Sequence, residues 1–171
     1  MNVDKLVSAS IDFLSAYLLA RMEGKPVRQS EEAALAIRGI YFSPQGILPI
    51  LKALHDGAPI TRDELRSALV KFADGQQHVE RQLRHLDWGA LRRDLGLDIR
   101  TMRALETLGL EKIGLRSGII RFVQELWQAE RKPRGWKENL RHLIERIEEL
   151  NNAIEEMDGT LNDLLARGQQ A

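Results

Sequence analysis

"LRHLIERIEELNNAIEEMDGTLNDLL", residues 140–165, sets apolar side chains at 140, 143, 147, 150, 154, 157, 161 and 164. The steps alternate between three and four residues, the heptad repeat of an amphipathic helix. Leu140, Ile147, Ile154 and Leu161 take the a positions, and Leu143, Leu150, Met157 and Leu164 take the d positions. Isoleucine at a with leucine at d suits a two-stranded parallel coiled coil. Each such side chain contributes roughly 1.5–3 kcal/mol on burial before entropy is subtracted, so this stripe has to be covered. Ile144 and Leu165, at e positions, widen it toward the face of a helix in a globular bundle. The stretch predicts a helix from Trp136 to Leu165 that either completes a bundle of the chain's own helices or projects to meet another helix. Glu148, Glu149, Glu155 and Glu156 fall on its outer side.

Toward the N-terminus, helix signals continue and strand signals are nearly absent. Val3, Leu6, Val7, Ile11, Leu14, Tyr17 and Leu18 follow helical spacing, and "EGKP" at 23–26 stops that helix. Ser30, ahead of Glu31 and Glu32, reads as the N-cap of a second helix reaching about Tyr41. Ser43 and Pro44 read as the start of a third, which Pro49 shortens or kinks. Thr61 and Glu64 make a T-x-x-E capping box for a helix running toward Trp88, with a break near "ADG" at 73–75. A long apolar helix is expected from Leu110 to about Glu130, after which "RKPRG" at 131–135 interrupts the chain. The fold class is therefore an all-α bundle of six to eight helices. Its expected organisation is a bundle over 1–131, a break at 132–135 and a coiled-coil-like helix over 136–171.

Among 171 residues, 43% are apolar and 29% charged, as in a chain that folds around a core. Basic and acidic residues number 25 each. The balance hides an asymmetry: residues 81–146 hold 15 basic against 9 acidic groups, and residues 147–171 hold 1 against 6. A basic middle and an acidic tail either hold an anionic partner locally or neutralise each other. Without cysteine the chain has no disulfide, thiol nucleophile or cysteine-ligated metal. The first residues show no signal-peptide pattern, and "FLSAYLLA" at 13–20 is too short to span a bilayer. A cytoplasmic location away from membranes is expected.

"GALRRDLGLDIRTMRALETLGL", residues 89–110, reads as two helices about a tight turn at "DLG", with Asp98 as the second N-cap. Ile99, Met102, Leu105 and Leu108 are expected to face inward. Arg92, Arg93, Arg100 and Arg103 are expected to face outward. Gly89, Leu91, Gly96, Ile99, Arg100, Thr101, Met102, Arg103, Glu106, Leu108, Gly109 and Leu110 resemble the helix-turn-helix of MerR-type transcription regulators. Ala104 and Leu105 stand where that family has paired tyrosines. The resemblance implies DNA binding, with Arg100, Thr101 and Arg103 as contacts, and a long dimerising C-terminal helix.

No catalytic constellation emerges. The E-x-x-H pairing of di-iron bundles, H-E-x-x-H, the phosphate-cradling G-x-x-x-x-G-K-[ST] and the G-x-S-x-G elbow are all missing. His142 has Glu138 and Glu145 within helical reach, a setting for a hydrogen bond rather than a metal. No cofactor or metal is expected. The leading expectation is a non-enzymatic adaptor or assembly subunit acting through Leu140, Leu143, Ile147, Leu150, Ile154, Met157, Leu161 and Leu164. Its partner is a second copy or another helical protein, with Arg131, Lys132, Arg134 and Lys137 as a basic collar. The alternative is a DNA- or RNA-binding regulator, or a small subunit of a nucleoprotein complex, using Arg92, Arg93, Arg100, Thr101 and Arg103.

Overall fold

The computed structural model describes residues 3–25, 28–39, 46–110 and 115–170. Among the described residues there are eight helices and no strand: α1 (Val3–Met22), α2 (Arg28–Arg38), α3 (Ile47–Asp56), α4 (Arg62–Arg84), α5 (Trp88–Leu95), α6 (Ile99–Leu110), α7 (Leu115–Gln128) and α8 (Trp136–Gln170). The fold is an all-α bundle with a long C-terminal helix.

Local chemistry sets several helix ends. The capping box closes reciprocally: Glu64 N donates to Thr61 Oγ1 at 3.2 Å, and Thr61 N donates to Glu64 Oε2 at 3.1 Å. Asp87 caps α5 by accepting from Ala90 N at 3.1 Å, so Trp88 opens a helix rather than ending α4. Gly96 ends α5 at φ 62, a left-handed conformation that glycine enters without a Cβ penalty. Pro49 falls in the first turn of α3, where its missing N–H leaves no helical bond unmade.

Several boundaries differ from the sequence reading. Ser30 lies inside α2, which begins at Arg28; its side chain is buried and caps nothing. No break occurs at 73–75, because α4 runs through Gly75. Of the helix expected from Leu110 to about Glu130, Leu110 belongs to α6 and Leu115–Gln128 form α7, and residues 111–114 lie outside the described residues. Ser43, Pro44 and the segment leading to Tyr41 lie outside the described residues.

The core is one apolar cluster to which α8 contributes like any other element. Phe13, Leu14, Ile37, Ile47, Leu51, Leu91, Leu105, Ile119 and Leu140 are its largest fully buried side chains. α8 packs against α1 and α3, α6 packs against α1 and α4, and α7 packs against α4. Asp4 and Ser8, in the first turns of α1, contact His142 and Arg146 near the start of α8. The contact between these helices is extensive and both begin near it, so α1 and α8 run side by side in the same direction.

Candidate functional site

Leu140, Leu143, Ile147, Leu150, Ile154 and Met157 are all buried against the rest of this chain. Six of the eight residues expected to meet a partner are therefore covered intramolecularly, and the parallel coiled coil they suggested is replaced by packing against α1 and α3. The physical reason is stripe width. Ile144 is also buried, at 8% exposure, and Asn151 at 6%, so α8 needs neighbours on two sides rather than one.

Burial ends at Met157. From Asp158 to Gly168 no residue of α8 is buried, although the heptad continues. Leu161 lies half-buried against the rim of the core, Leu164 is half-buried, and Leu165 is 58% exposed. Arg38 at the end of α2 holds Asp158 at the point of departure, with Nε 2.8 Å from Oδ1. That hydrogen bond, followed by the charge of Asp158, raises the Arg38 pKa above its ordinary value. α8 thus leaves the bundle as a helix with apolar side chains still in register and only its edge supported.

The second candidate surface lies on α5 and α6, joined by Gly96, Leu97 and Asp98. Leu97 is buried beneath this turn, and Met102 and Leu105 anchor α6 in the core. Arg92, Arg93, Arg100 and Arg103 are exposed, and Thr101 is half-buried. Ile99, expected inward, is 40% exposed because the buried face of α6 is centred on Met102 and Leu105. The outward strip of this helix is therefore Ile99, Arg100 and Arg103. Arg92, Arg93 and Arg100 make no ion pair among the described residues. Arg92 and Arg93 also stand in the last turn of α5, where cations favour the negative end of the helix dipole. The Leu108 side chain lies outside the described residues.

Sequence reasoning missed the polar seam between α1 and α8. His142 turns away from Glu138 and Glu145: its Nε2 lies 2.7 Å from Asp4 Oδ1. Arg146 donates to Ser8 Oγ at 2.8 Å and to the Asp4 carbonyl at 3.1 Å, and it also pairs with Glu149. Lys52 of α3 holds Glu148 at 2.7 Å. The helical signals in the sequence carry no trace of partners 138 or 142 residues apart.

Among the described residues no group of three histidine, cysteine, aspartate or glutamate side chains is placed to hold a metal ion. No described helix is long and apolar enough to cross a membrane. The chain matches no family model, no curated protein and no solved structure.

Proposed function

We propose that this chain is a non-enzymatic helical interaction protein, an adaptor or assembly subunit, whose contact surface is the distal part of α8. One observation carries the reading: the heptad outlives the bundle. Leu161, Leu164 and Leu165 continue the apolar register past Met157, the last residue the chain buries along this helix. Leu161 and Leu164 are only half-buried and Leu165 is 58% exposed, so a helix that receives a partner there gains the rest of their burial.

The test is a photo-cross-linking residue placed at exposed Ala166, with a control at exposed Gln124 on α7. An intermolecular adduct at 166 and none at 124 supports the reading. Absence of any intermolecular adduct at 166 in cells that make the protein overturns it.

A second reading is favoured by the exposed arginines of α5 and α6: a DNA- or RNA-binding regulator, or a subunit of a nucleoprotein complex. Two helices joined by a three-residue turn present Arg92, Arg93, Arg100 and Arg103 to solvent, as phosphate contact requires. Binding of this kind weakens steeply with salt, with a log–log slope of about −0.9 per phosphate neutralised on duplex DNA. Arg100→Ala with Arg103→Ala should weaken it further and flatten that slope. No shift of duplex DNA or single-stranded RNA at low salt overturns this second reading.

A further inference from the structure

α8 changes character at Met157 in two independent respects. Burial stops there: no residue from Asp158 to Gly168 is buried, and Leu161 reaches only the rim of the core. Helix propensity falls at the same place. Five of the six residues from Asp158 to Asp163 are aspartate, glycine, threonine or asparagine, types that cost a helix free energy relative to alanine; Leu161 is the exception. Residues 140–150, by contrast, are mostly leucine, arginine and glutamate, which favour it.

Gly159 is the weakest point of this run. It lies inside α8, and a Cβ added there would meet nothing within 4 Å. Neither a turn nor a close approach calls for glycine at this position, yet only proline costs a helix more. A segment of poor propensity stays helical in a folded protein chiefly through tertiary packing. Here that support is Leu161 at the core rim and, one residue before Gly159, the Arg38 guanidinium on both carboxylate oxygens of Asp158 at 2.8 and 3.0 Å. The residues from Leu164 to Gly168 are too few to hold a helix alone, since isolated helices shorter than about 12 residues are marginal in water.

We infer that residues 158–163 form a hinge and that α8 beyond Met157 is a strap, which opens and closes on the bundle as a unit of its own with the Arg38–Asp158 pair as its latch. Closed, the strap continues α8 and rests Leu161 on the core rim. Open, it loses helix from the hinge outward while Leu140, Ile147, Ile154 and Met157 stay buried in the bundle. Such an opening gives up few apolar contacts, so it lies far below global unfolding in free energy. The strap needs no partner to open, so it stands or falls separately from the reading of distal α8 as a contact surface.

The experiment is amide hydrogen exchange on the full chain, read residue by residue along α8. Protection should fall in a step within 158–163, and the amides from Asp163 to Gly168 should exchange together through one opening. Gly159→Ala, at an exposed site, should slow exchange of that whole block about fivefold and leave residues 140–157 unchanged. Arg38→Ala should speed the same block by a factor of about two to five, as loss of a partly exposed ion pair allows. Gly168→Ala serves as the control: it is equally exposed, also has open space around its Cα, and should affect the last turn only.

Protection that decays smoothly back from Gly168, with no step, is ordinary fraying and overturns the inference. So does a tip as protected as residues 140–157, or a wild-type tip with no protection at all, which has no closed state to latch. Tip exchange unchanged by Arg38→Ala, or a Gly159→Ala effect confined to one turn, overturns it as well. An intermolecular adduct at Ala166 without the step keeps the contact surface and removes the hinge; the step without an adduct does the reverse.

Discussion

Arg38 and Asp158 stand 120 residues apart in sequence, yet the Arg38 Nε donates to both carboxylate oxygens of Asp158, at 2.8 and 3.0 Å. The bond lies one residue past Met157, where the buried face of α8 ends. It clamps the last turn of α2 onto the point where α8 departs from the core. Both side chains are partly in water, at 54% and 34% exposure, so a coupling under about 1 kcal/mol is expected from a double-mutant cycle with Arg38→Ala and Asp158→Ala. The coupling should shrink with salt. Faster amide exchange beyond residue 158 should accompany either single change. A coupling of several kcal/mol would mean that this contact is structural to the bundle rather than a clamp at its edge.

Substitutions along the heptad should divide at the same place. Ile154 is 2% exposed and Ile147 is 1% exposed, so truncating either to alanine leaves a cavity and should cost about 2–5 kcal/mol in urea unfolding. Leu165→Ala, at an exposed site, should change stability by under about 0.5 kcal/mol. Lysine at 147 or 154 would unfold the chain and say nothing about association, because these side chains meet the chain's own α1 and α3. Equal costs at 154 and 165 would contradict the burial boundary at Met157.

The class of the fold was legible because helical periodicity and capping are local. Thr61 and Glu64 announce a helix start from four residues of sequence, and the structure closes that box. The heptad was equally plain, but its destination was not. A stripe of apolar residues records that burial is needed and carries no mark of whether the cover comes from the same chain. The edge of burial at Met157 was invisible for the same reason, since Leu161 and Leu164 keep the register. The seam of Asp4, Ser8, His142 and Arg146 depends on α1 and α8 running side by side, which only the assembled bundle determines. The arginines of α5 and α6 were read as exposed and are exposed. Ile99 was misplaced because three-residue steps turn only about 300°, which leaves it about 90° around the helix from the face centred on Met102 and Leu105.

Serine and threonine should act in opposite senses at two places. The Thr61 hydroxyl accepts from Glu64 N, and Thr61→Ala should cost about 1 kcal/mol. The hydroxyls of Ser10 and Ser30 are buried without a hydrogen-bond partner, inside α1 and α2. Alanine there removes an unsatisfied polar group and improves helix propensity, so Ser10→Ala and Ser30→Ala should each raise stability by about 0.5–2 kcal/mol. Thermal melts of the three variants give the comparison directly. A loss at Ser30→Ala would show that its hydroxyl is bonded in solution.

Tyr17 gives the chain a pH dependence of definite sign. The side chain is 2% exposed, and burial raises its pKa above the ordinary value of 10.0; Arg21 opposes that shift and Glu31 adds to it. Below pH 10 the phenol is neutral in the folded and unfolded chains alike, so the full stability is present. As pH climbs past 10 the unfolded chain releases its proton first, and stability falls until the folded-state value is passed. Tyr17→Phe removes this slope, so its stability relative to wild type should improve steadily above pH 10. The chain has two tyrosines, and a Tyr41→Phe background isolates the phenolate absorbance of Tyr17. That absorbance should appear later on the pH scale in the folded protein than in urea. Coincident titrations in the two states, or parallel stability curves for the two variants, would show that water reaches the Tyr17 hydroxyl and that this part of the core is open.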